Sequence, residues 1–366
     1  MTGVTTRIEV GSASPYTVVV GHALLGELPG MLGAAVRQVA VIHPSPLTRA
    51  AGALQATLTE QGREVIGIEV PDGEEAKSAR VAEHCWNELG AAGFNRSDAV
   101  VSLGGGSTTD LAGFVAAGWL RGVAVVHIPT TLLAMVDAAI GGKTGINTDA
   151  GKNLVGAFHQ PAGVVCDLST LTTLPAAEVA GGLAEIIKCG FIADSEILDL
   201  VQADPAAAGA VGGPVLRELI ERAIRVKAAV VAADPREDRS TAMWVGREAL
   251  NYGHTMGHAI ERAEGYRRRH GDAVAIGMVY VAELARLTGR LDRPTAERHR
   301  TVLGSVGLPT TYQGSTWEEL FDAMRVDKKS RGGRLRFVVL DGLARPGILE
   351  APDPDLLIRA HRAIAG

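Results

Sequence analysis

Short runs of β-branched and apolar residues recur along the first half of the chain, at Tyr16 to Val20, Val36 to Ile42, Glu64 to Val70, Ala99 to Leu103, Val123 to Ile128 and Val164 to Cys166. Each has the length of a strand, and the stretches between them, such as Leu47 to Gln61 and Ser78 to Leu89, space their apolar residues as a helix does. This alternation predicts βαβ units and an α/β domain on a mainly parallel sheet. From about Pro175 the pattern changes. Leu183 to Phe191, Val215 to Ala232, Ala249 to Ala263, Val274 to Leu287 and Trp317 to Met324 read as helices, and only Leu335 to Leu340 looks like a strand. An α-helical domain is therefore expected after the α/β domain. The boundary falls near Leu168 to Pro175, where Pro175 suits a helix start, giving domains 1–172 and 173–366. The Ala-rich stretch Pro205 to Gly213 reads as a loose connection between helices.

With 366 residues the chain is too long for one core, and its 46% hydrophobic content can build two. Residues Met1 to Val10 lack a basic segment followed by an apolar one, and no run of 18 uninterrupted apolar residues occurs, so a cytoplasmic enzyme without a membrane span is expected. Cys85, Cys166 and Cys189 are far apart and form no C-x-x-C; each reads as a buried thiol. A net charge of −5 without a long basic run argues against nucleic acid as the partner. The one basic cluster, Arg267-Arg268-Arg269-His270, suits a solvated helix end or a phosphate contact. Forty-five glycines beside 4% aromatics point to close backbone packing and close approach to a ligand.

The strand run Ala99 to Leu103 leads into Gly104-Gly105-Gly106, and Ser107-Thr108-Thr109-Asp110 then opens a helix with the spacing of a capping box. Strand, glycine turn and helix start together can cradle a pyrophosphate on bare backbone N–H groups. The dinucleotide fingerprint is incomplete, because Thr109 replaces its third glycine and no acid ends the next strand; alone, the turn is equally a tight corner before a packed helix. Gly141-Gly142-Lys143-Thr144 resembles the end of a phosphate loop, but Asp137 stands where that loop needs glycine, which excludes a nucleoside triphosphatase. What remains is a Gly-rich loop holding Thr130, Thr131, Asp137, Lys143, Asn147, Lys152 and Asn153, a set suited to a phosphorylated substrate.

His254 and His258 stand at i and i+4 on one predicted helix face, flanked by Gly253 and Gly257, and can share one metal ion or one substrate. His270, before Gly271-Asp272 and a new helix, is the best distant third nitrogen. A carboxylate is also an acceptable third ligand. Glu185 and Lys188 lie three apart on an otherwise apolar helix, where burial would make an unpaired charge costly and a metal or anionic substrate would offset it.

These residues carry a likeness that spans nearly the whole chain. Pro71 to Lys77, Gly104 to Asp110, Pro129 to Leu133, Gly141 to Asn147, Gly151 to Phe158, the Glu185 helix, Asn251 to His258 and His270-Gly271-Asp272, in that order, resemble the 3-dehydroquinate synthase family of the sugar phosphate cyclases. The resemblance implies a Rossmann-like N-terminal domain, an all-α C-terminal domain, a homodimer, bound NAD, and Zn2+ or Co2+. It implies a carbon-oxygen lyase of the shikimate pathway that converts 3-deoxy-D-arabino-heptulosonate 7-phosphate to 3-dehydroquinate and phosphate, by transient oxidation with NAD, phosphate elimination, re-reduction and aldol closure.

Residue by residue, the resemblance gives the metal to Glu185, His254 and His270, and makes His258 an acid/base residue rather than a ligand. It gives NAD to Asp72, Gly73, Glu74, Glu75, Ala76 and Lys77; to Gly104, Gly105, Gly106, Ser107, Thr108, Thr109 and Asp110; and to Thr130, Thr131, Lys143, Lys152, Thr170, Leu171, Thr172 and Thr173. Proton traffic falls to His258, Lys188 and Asp137 and catalytic contact to Arg247, while Lys143, Asn153, Lys227, Asn251 and Lys328 bind substrate and Arg121 reaches the neighbouring subunit's phosphate site. Two departures stand out: His43-Pro44-Ser45 replaces a frequent ribose-binding acid, and Asp238 to Gly246 is longer than the family pattern. An aminodehydroquinate or other cyclase and a metal-dependent polyol dehydrogenase are the enzymatic alternatives. The dehydrogenase has little use for Arg121, Lys152, Asn153 and Lys328. A nucleotide-binding regulator without turnover would not need so many convergent polar groups.

Overall fold

The computed structural model of the chain describes residues 4–11, 14–240, 245–330 and 335–366, with the side chains of 326–330 outside that description. Two compact units divide it, Met1–Leu174 and Pro175–Gly366.

The first unit is built on a seven-stranded sheet. In chain order its strands are β1 (Thr6–Val10), β2 (Tyr16–Gly21), β3 (Gln38–Pro44), β4 (Glu64–Val70), β5 (Ala99–Gly104) and β6 (Ala124–Pro129), then, after a separate hairpin of β7 (Lys143–Thr148) and β8 (Gly151–Phe158), β9 (Gly163–Asp167). The spatial order is β1-β2-β9-β6-β5-β3-β4, and every pairing in it except β1 with β2 is parallel. Burial explains the continuous apolar runs. Ala40, Ile42 and Val100 pack into one core with Leu89, Leu111 and Val115, while their strand neighbours Val39, Val41 and Val101 pack into another with Leu54, Leu58 and Val165. A central sheet covered on both faces leaves no polar side for an alternating pattern to mark.

The stretch expected as a Gly-rich loop is largely ordered. Residues Ala134–Ala138 form a π-helical turn, and β7 pairs antiparallel with β8, with a register irregularity between Ile146 and Thr148. Glycine-rich strands carry little β-propensity, so composition hid them. The helix after β5 runs Gly106–Gly118 with Gly105 at its N-cap and no side chain capping it, so Ser107 does not open a capping box.

The second unit holds helices Ala176–Ile192, Glu196–Ala203, Pro205–Gly209, Pro214–Ala233, His254–Ala263, His270–Leu287, Arg293–Ser305, Trp317–Ser330 and Pro354–Ile364, with one antiparallel hairpin of β10 (Arg336–Leu340) and β11 (Pro346–Glu350). The Pro205 stretch is thus partly a helix, started by Pro205 and by Asp204, whose side chain accepts from Ala207 N at 2.9 Å. The helix expected over Ala249 to Ala263 is broken instead. A 3-10 turn covers Gly246–Asn251, Gly253 takes φ +81°, and the α-helix begins at His254.

Close helix crossings bring the chemistry together. A Cβ at Gly271 would collide with the backbone of Gly181, and one at Gly277 with the Gly253 carbonyl. Glycine at these crossings lets the Ala176–Ile192, His254–Ala263 and His270–Leu287 helices meet backbone to backbone.

Two histidines outside that region set an acid limit on stability. His127 Nδ1 lies 2.7 Å from Ser102 Oγ; His299 lies 2.9 Å from both Tyr252 Oη and the Thr295 carbonyl and stacks on Phe191. Burial pushes each down to about 3. Folded, both stay neutral; unfolded, they protonate below ~6.5. Below that pH the unfolded chain binds more protons, so this stability is complete above ~6.5 and is lost toward pH 3, at up to ~1.4 kcal/mol per pH unit for each histidine. Urea melts from pH 7.5 to 4.5 should show a shallower slope for His299→Gln than for the parent; parallel slopes would refute this account.

Candidate active site

In the first unit, four segments converge around the glycine turn. A Cβ on Gly104 would lie 2.5 Å from Thr108 Oγ1, and one on Gly105 3.2 Å from Thr131 Cγ2, so side chains are excluded where the backbone must stay bare. The first N–H groups of the Gly106–Gly118 helix have no intrahelical acceptor and no capping side chain, an end suited to receiving an anion. The Asp72 side chain accepts from Gly73 N at 2.9 Å and starts the 3-10 turn Gly73–Ala76. Lys77 Nζ, buried at the end of this turn, binds Asp110 Oδ2 at 2.7 Å and also donates to Asn153 Oδ1. Glu74 accepts from Asn147 Nδ2 at 2.6 Å and from Ser107 Oγ at 3.3 Å, with Lys152 Nζ 4.0 Å away. Burial raises the Asp110 carboxyl, and Lys77 offsets this only in part. Turn, helix start and hairpin are thus linked by charge-assisted hydrogen bonds.

In the second unit, Glu185, His254 and His270 meet. Glu185 is 2% exposed; its Oε2 pairs with Lys188 Nζ, and its Oε1 is buried without a hydrogen-bond partner. That oxygen lies 3.6 Å from His254 Nε2 and 3.6 Å from His270 Nε2. Both separations exceed a hydrogen bond and approach the ~3.4 Å expected between two ligands of one tetrahedral Zn2+. The outward nitrogens are already engaged: His254 Nδ1 lies 3.1 Å from the Tyr252 carbonyl, and His270 Nδ1 3.2 Å from Glu261 Oε2. Such outer partners hold a ring with Nε2 turned inward. The donor set therefore fits a divalent cation. A second set, His258, Glu261 and His270, also lies within reach of one ion. There His258 is exposed and Glu261 is engaged with His270, so the first set fits better.

The charges point the same way. Burial works to raise the Glu185 carboxyl, but Lys188, His254 and His270 outweigh it and hold it well below the usual range. Burial, aided by Lys188, pushes His254 down to about 3, leaving a neutral imidazole with a lone pair. His270 is opposite: burial works to lower it, but Glu185 and Glu261 lift it to about 10, so a proton sits where a metal cation would neutralise the same carboxylates.

Residues 67–181 match the family described as 3-dehydroquinate synthase N-terminal, and residues 182–330 the one described as 3-dehydroquinate synthase C-terminal. The chain belongs to the 3-dehydroquinate synthase family. Among relatives of that name, the protein from Streptomyces avermitilis is 58% identical over 364 residues, 99% of each chain, and that from Rhodococcus opacus 59% identical over 98% of this chain and 95% of its own. Two solved synthases share the fold at 26% identity. A 2-deoxy-scyllo-inosose synthase, complexed with carbaglucose-6-phosphate, NAD+ and Co2+, has a TM-score of 0.87 over 98% of this chain and 100% of its own. A 2-epi-5-epi-valiolone synthase from Streptomyces hygroscopicus subsp. jinggangensis 5008, with NAD+ and Zn2+ bound, has a TM-score of 0.86 over 96% of each chain. The mainly parallel sheet and helical C-terminal unit are those of the sugar phosphate cyclase fold.

The other residues that the 3-dehydroquinate synthase likeness singles out have varied settings. Asp137 lies in the π-helical turn, Lys143 begins β7, and Thr131 Oγ1 accepts from Ala134 N at 3.2 Å. In the 3-10 turn Leu168–Thr173, Thr170 donates to the Asp167 carbonyl, Thr172 to that of Ser169 and Thr173 to that of Thr170, while Leu171 and Ala76 are buried and offer only backbone to a ligand. Lys227 and Arg247 are buried, and Asn251 Nδ2 donates to Glu237 Oε1 at 2.6 Å. Exposed Arg121 has φ +69° beside Leu120 at +48°. The side chain of Lys328 and part of the Asp238 to Gly246 segment lie outside the described residues. All three cysteines are buried free thiols, as expected. Sequence reasoning passed over Glu261. It lies seven residues after His254 on the same helix, and only the fold brings its carboxylate to His270.

Proposed function

We propose that this chain converts 3-deoxy-D-arabino-heptulosonate 7-phosphate to 3-dehydroquinate and phosphate, as a carbon-oxygen lyase that depends on NAD and on Zn2+ or Co2+. What carries this reading is identity near 58% to 3-dehydroquinate synthases over the length of the chain. The unpartnered Glu185 oxygen between His254 and His270 supports the metal, and the bare Gly104 turn supports the nucleotide. When bound, the nicotinamide supplies a reversible hydride acceptor and the metal supplies polarisation of a substrate oxygen.

The chain's own residues bind, orient and move protons. NAD is held by Asp72 to Lys77, Gly104 to Asp110, Thr130, Thr131, Lys143, Lys152 and Thr170 to Thr173, and the metal by Glu185, His254 and His270. Lys143, Asn153, Lys227, Asn251 and Lys328 bind the anionic substrate, and Arg247 makes a catalytic contact with it. His258, Lys188 and Asp137 hold or move protons at Nε2, Nζ and the carboxylate. Lys188 suits that work because its buried ammonium is paired directly with the Glu185 carboxylate.

A homodimer belongs to this reading. Leu120, on the turn bearing Arg121, and Leu154, Val155 and Phe158, on β8, are exposed apolar side chains that a second copy would cover while Arg121 reached its phosphate site. So does a cytoplasmic location; among the described residues no helix is long and apolar enough to cross a membrane.

The test is to incubate metal-loaded protein with the heptulosonate phosphate and substoichiometric NAD, with and without chelator. Equal amounts of phosphate and dehydroquinate, no steady NADH and loss of turnover on chelation are expected. Continuous NADH formation would instead indicate a polyol dehydrogenase. Absence of phosphate release with metal present would defeat any phosphate-eliminating cyclase.

A further inference from the structure

The turn that carries Arg247 and Asn251 is held by a residue outside every role described so far. The helix Pro214–Ala233, which bears Lys227, ends at Asp234, its C-cap with φ −144° and ψ 77°. Asp234 is fully buried, and its two carboxylate oxygens meet two backbone N–H groups: Oδ1 accepts from Asp238 at 3.2 Å and Oδ2 from Arg247 at 3.0 Å. Asp238 and Arg247 flank residues 239–246, so one carboxylate ties both ends of the extra segment to the helix end. Return contacts run across the same base: Arg247 Nη1 donates to the Pro235 carbonyl at 2.8 Å, and Asn251 Nδ2 to Glu237 Oε1 at 2.6 Å.

We infer that Asp234 is the positioning residue for Arg247, and that the segment 234–237 fixes Arg247 and Asn251 independently of the extra sequence between them. The inference rests on the reading of Arg247 as a substrate-binding residue. A buried carboxylate persists where hydrogen bonds compensate its lost hydration, and here both partners are backbone groups of the segment's own ends. Removing one oxygen's acceptor leaves a buried N–H unpaired and frees the start of the Arg247 turn to shift. A small displacement of a binding group is enough to weaken substrate capture.

The test uses the full-length enzyme loaded with Zn2+ and NAD, in Asp234→Asn, Asp234→Ala and Arg247→Ala forms. Asp234→Asn should raise KM for the heptulosonate phosphate ~10-fold, the loss of about one charged hydrogen bond, with kcat changed by less than ~3-fold. Zn2+ stoichiometry and NAD affinity should match the parent, and Asp234→Ala should raise KM further. Should Asp234→Ala fail to fold, Asp234→Asn, nearly equal in volume and still offering one acceptor, decides alone. A lowered Tm with unchanged KM in Asp234→Asn would mean a structural role only and overturn the proposal. If Arg247→Ala raises KM and Asp234→Asn does not, the positioning proposal falls and the substrate reading stands. If Arg247→Ala leaves KM unchanged, it is the substrate reading that has failed.

Discussion

Replacing Glu185 by glutamine is expected to remove most of the bound metal and to lower turnover by ~10^3-fold or more, the several kcal/mol that a catalytic cation supplies. The substitution keeps the side chain's shape but removes the charge on the oxygen that faces His254 Nε2 and His270 Nε2. It also removes the carboxylate charge that the buried Lys188 ammonium faces, so a lowered Tm should accompany the loss. Metal content by elemental analysis, beside the thermal melt, separates the two effects. Glu261→Gln is the informative contrast. As an outer partner of His270 Nδ1, Glu261 should allow stoichiometric metal at saturation with affinity weakened ~10–100-fold. If Glu261→Gln emptied the site while Glu185→Gln left it filled, the cation would belong to the His258, Glu261 and His270 set instead.

These two carboxylates differ in how far the sequence could reveal them. Glu185 drew attention because an acid on an apolar helix beside a lysine is costly without a partner, and the structure buries both. Glu261 sits on the polar-looking side of a mixed helix, and its setting depends on the Gly271 and Gly277 crossings that no local pattern encodes. The same distinction holds for the fold. Strands β2 to β6 and β9 were legible because a parallel sheet covered on both faces needs continuous apolar runs. The hairpin of β7 and β8 was not, because its backbone geometry is carried by residues such as Gly145 and Gly156 that have no strand preference. In the second unit the periodicity that joined Asn251 to His254 continued through Gly253, and only the positive φ there shows that the two belong to different elements.

That break bears on His258. Replacing it by alanine is expected to lower turnover by ~10^2–10^4-fold while leaving the metal bound. His258 follows His254 by one turn of the same helix, and their rings stand edge to face with centroids 5.4 Å apart. Helical spacing alone would make them a ligand pair. The structure instead turns His254 Nε2 toward Glu185 and His270, whose ring lies 5.3 Å from that of His254, while His258 remains exposed. An exposed imidazole beside a filled site can exchange protons with solvent, which suits a group that must both take and return them in one cycle. Loss of stoichiometric metal from His258→Ala would return His258 to the ligand set and displace Glu185 or His270 from it.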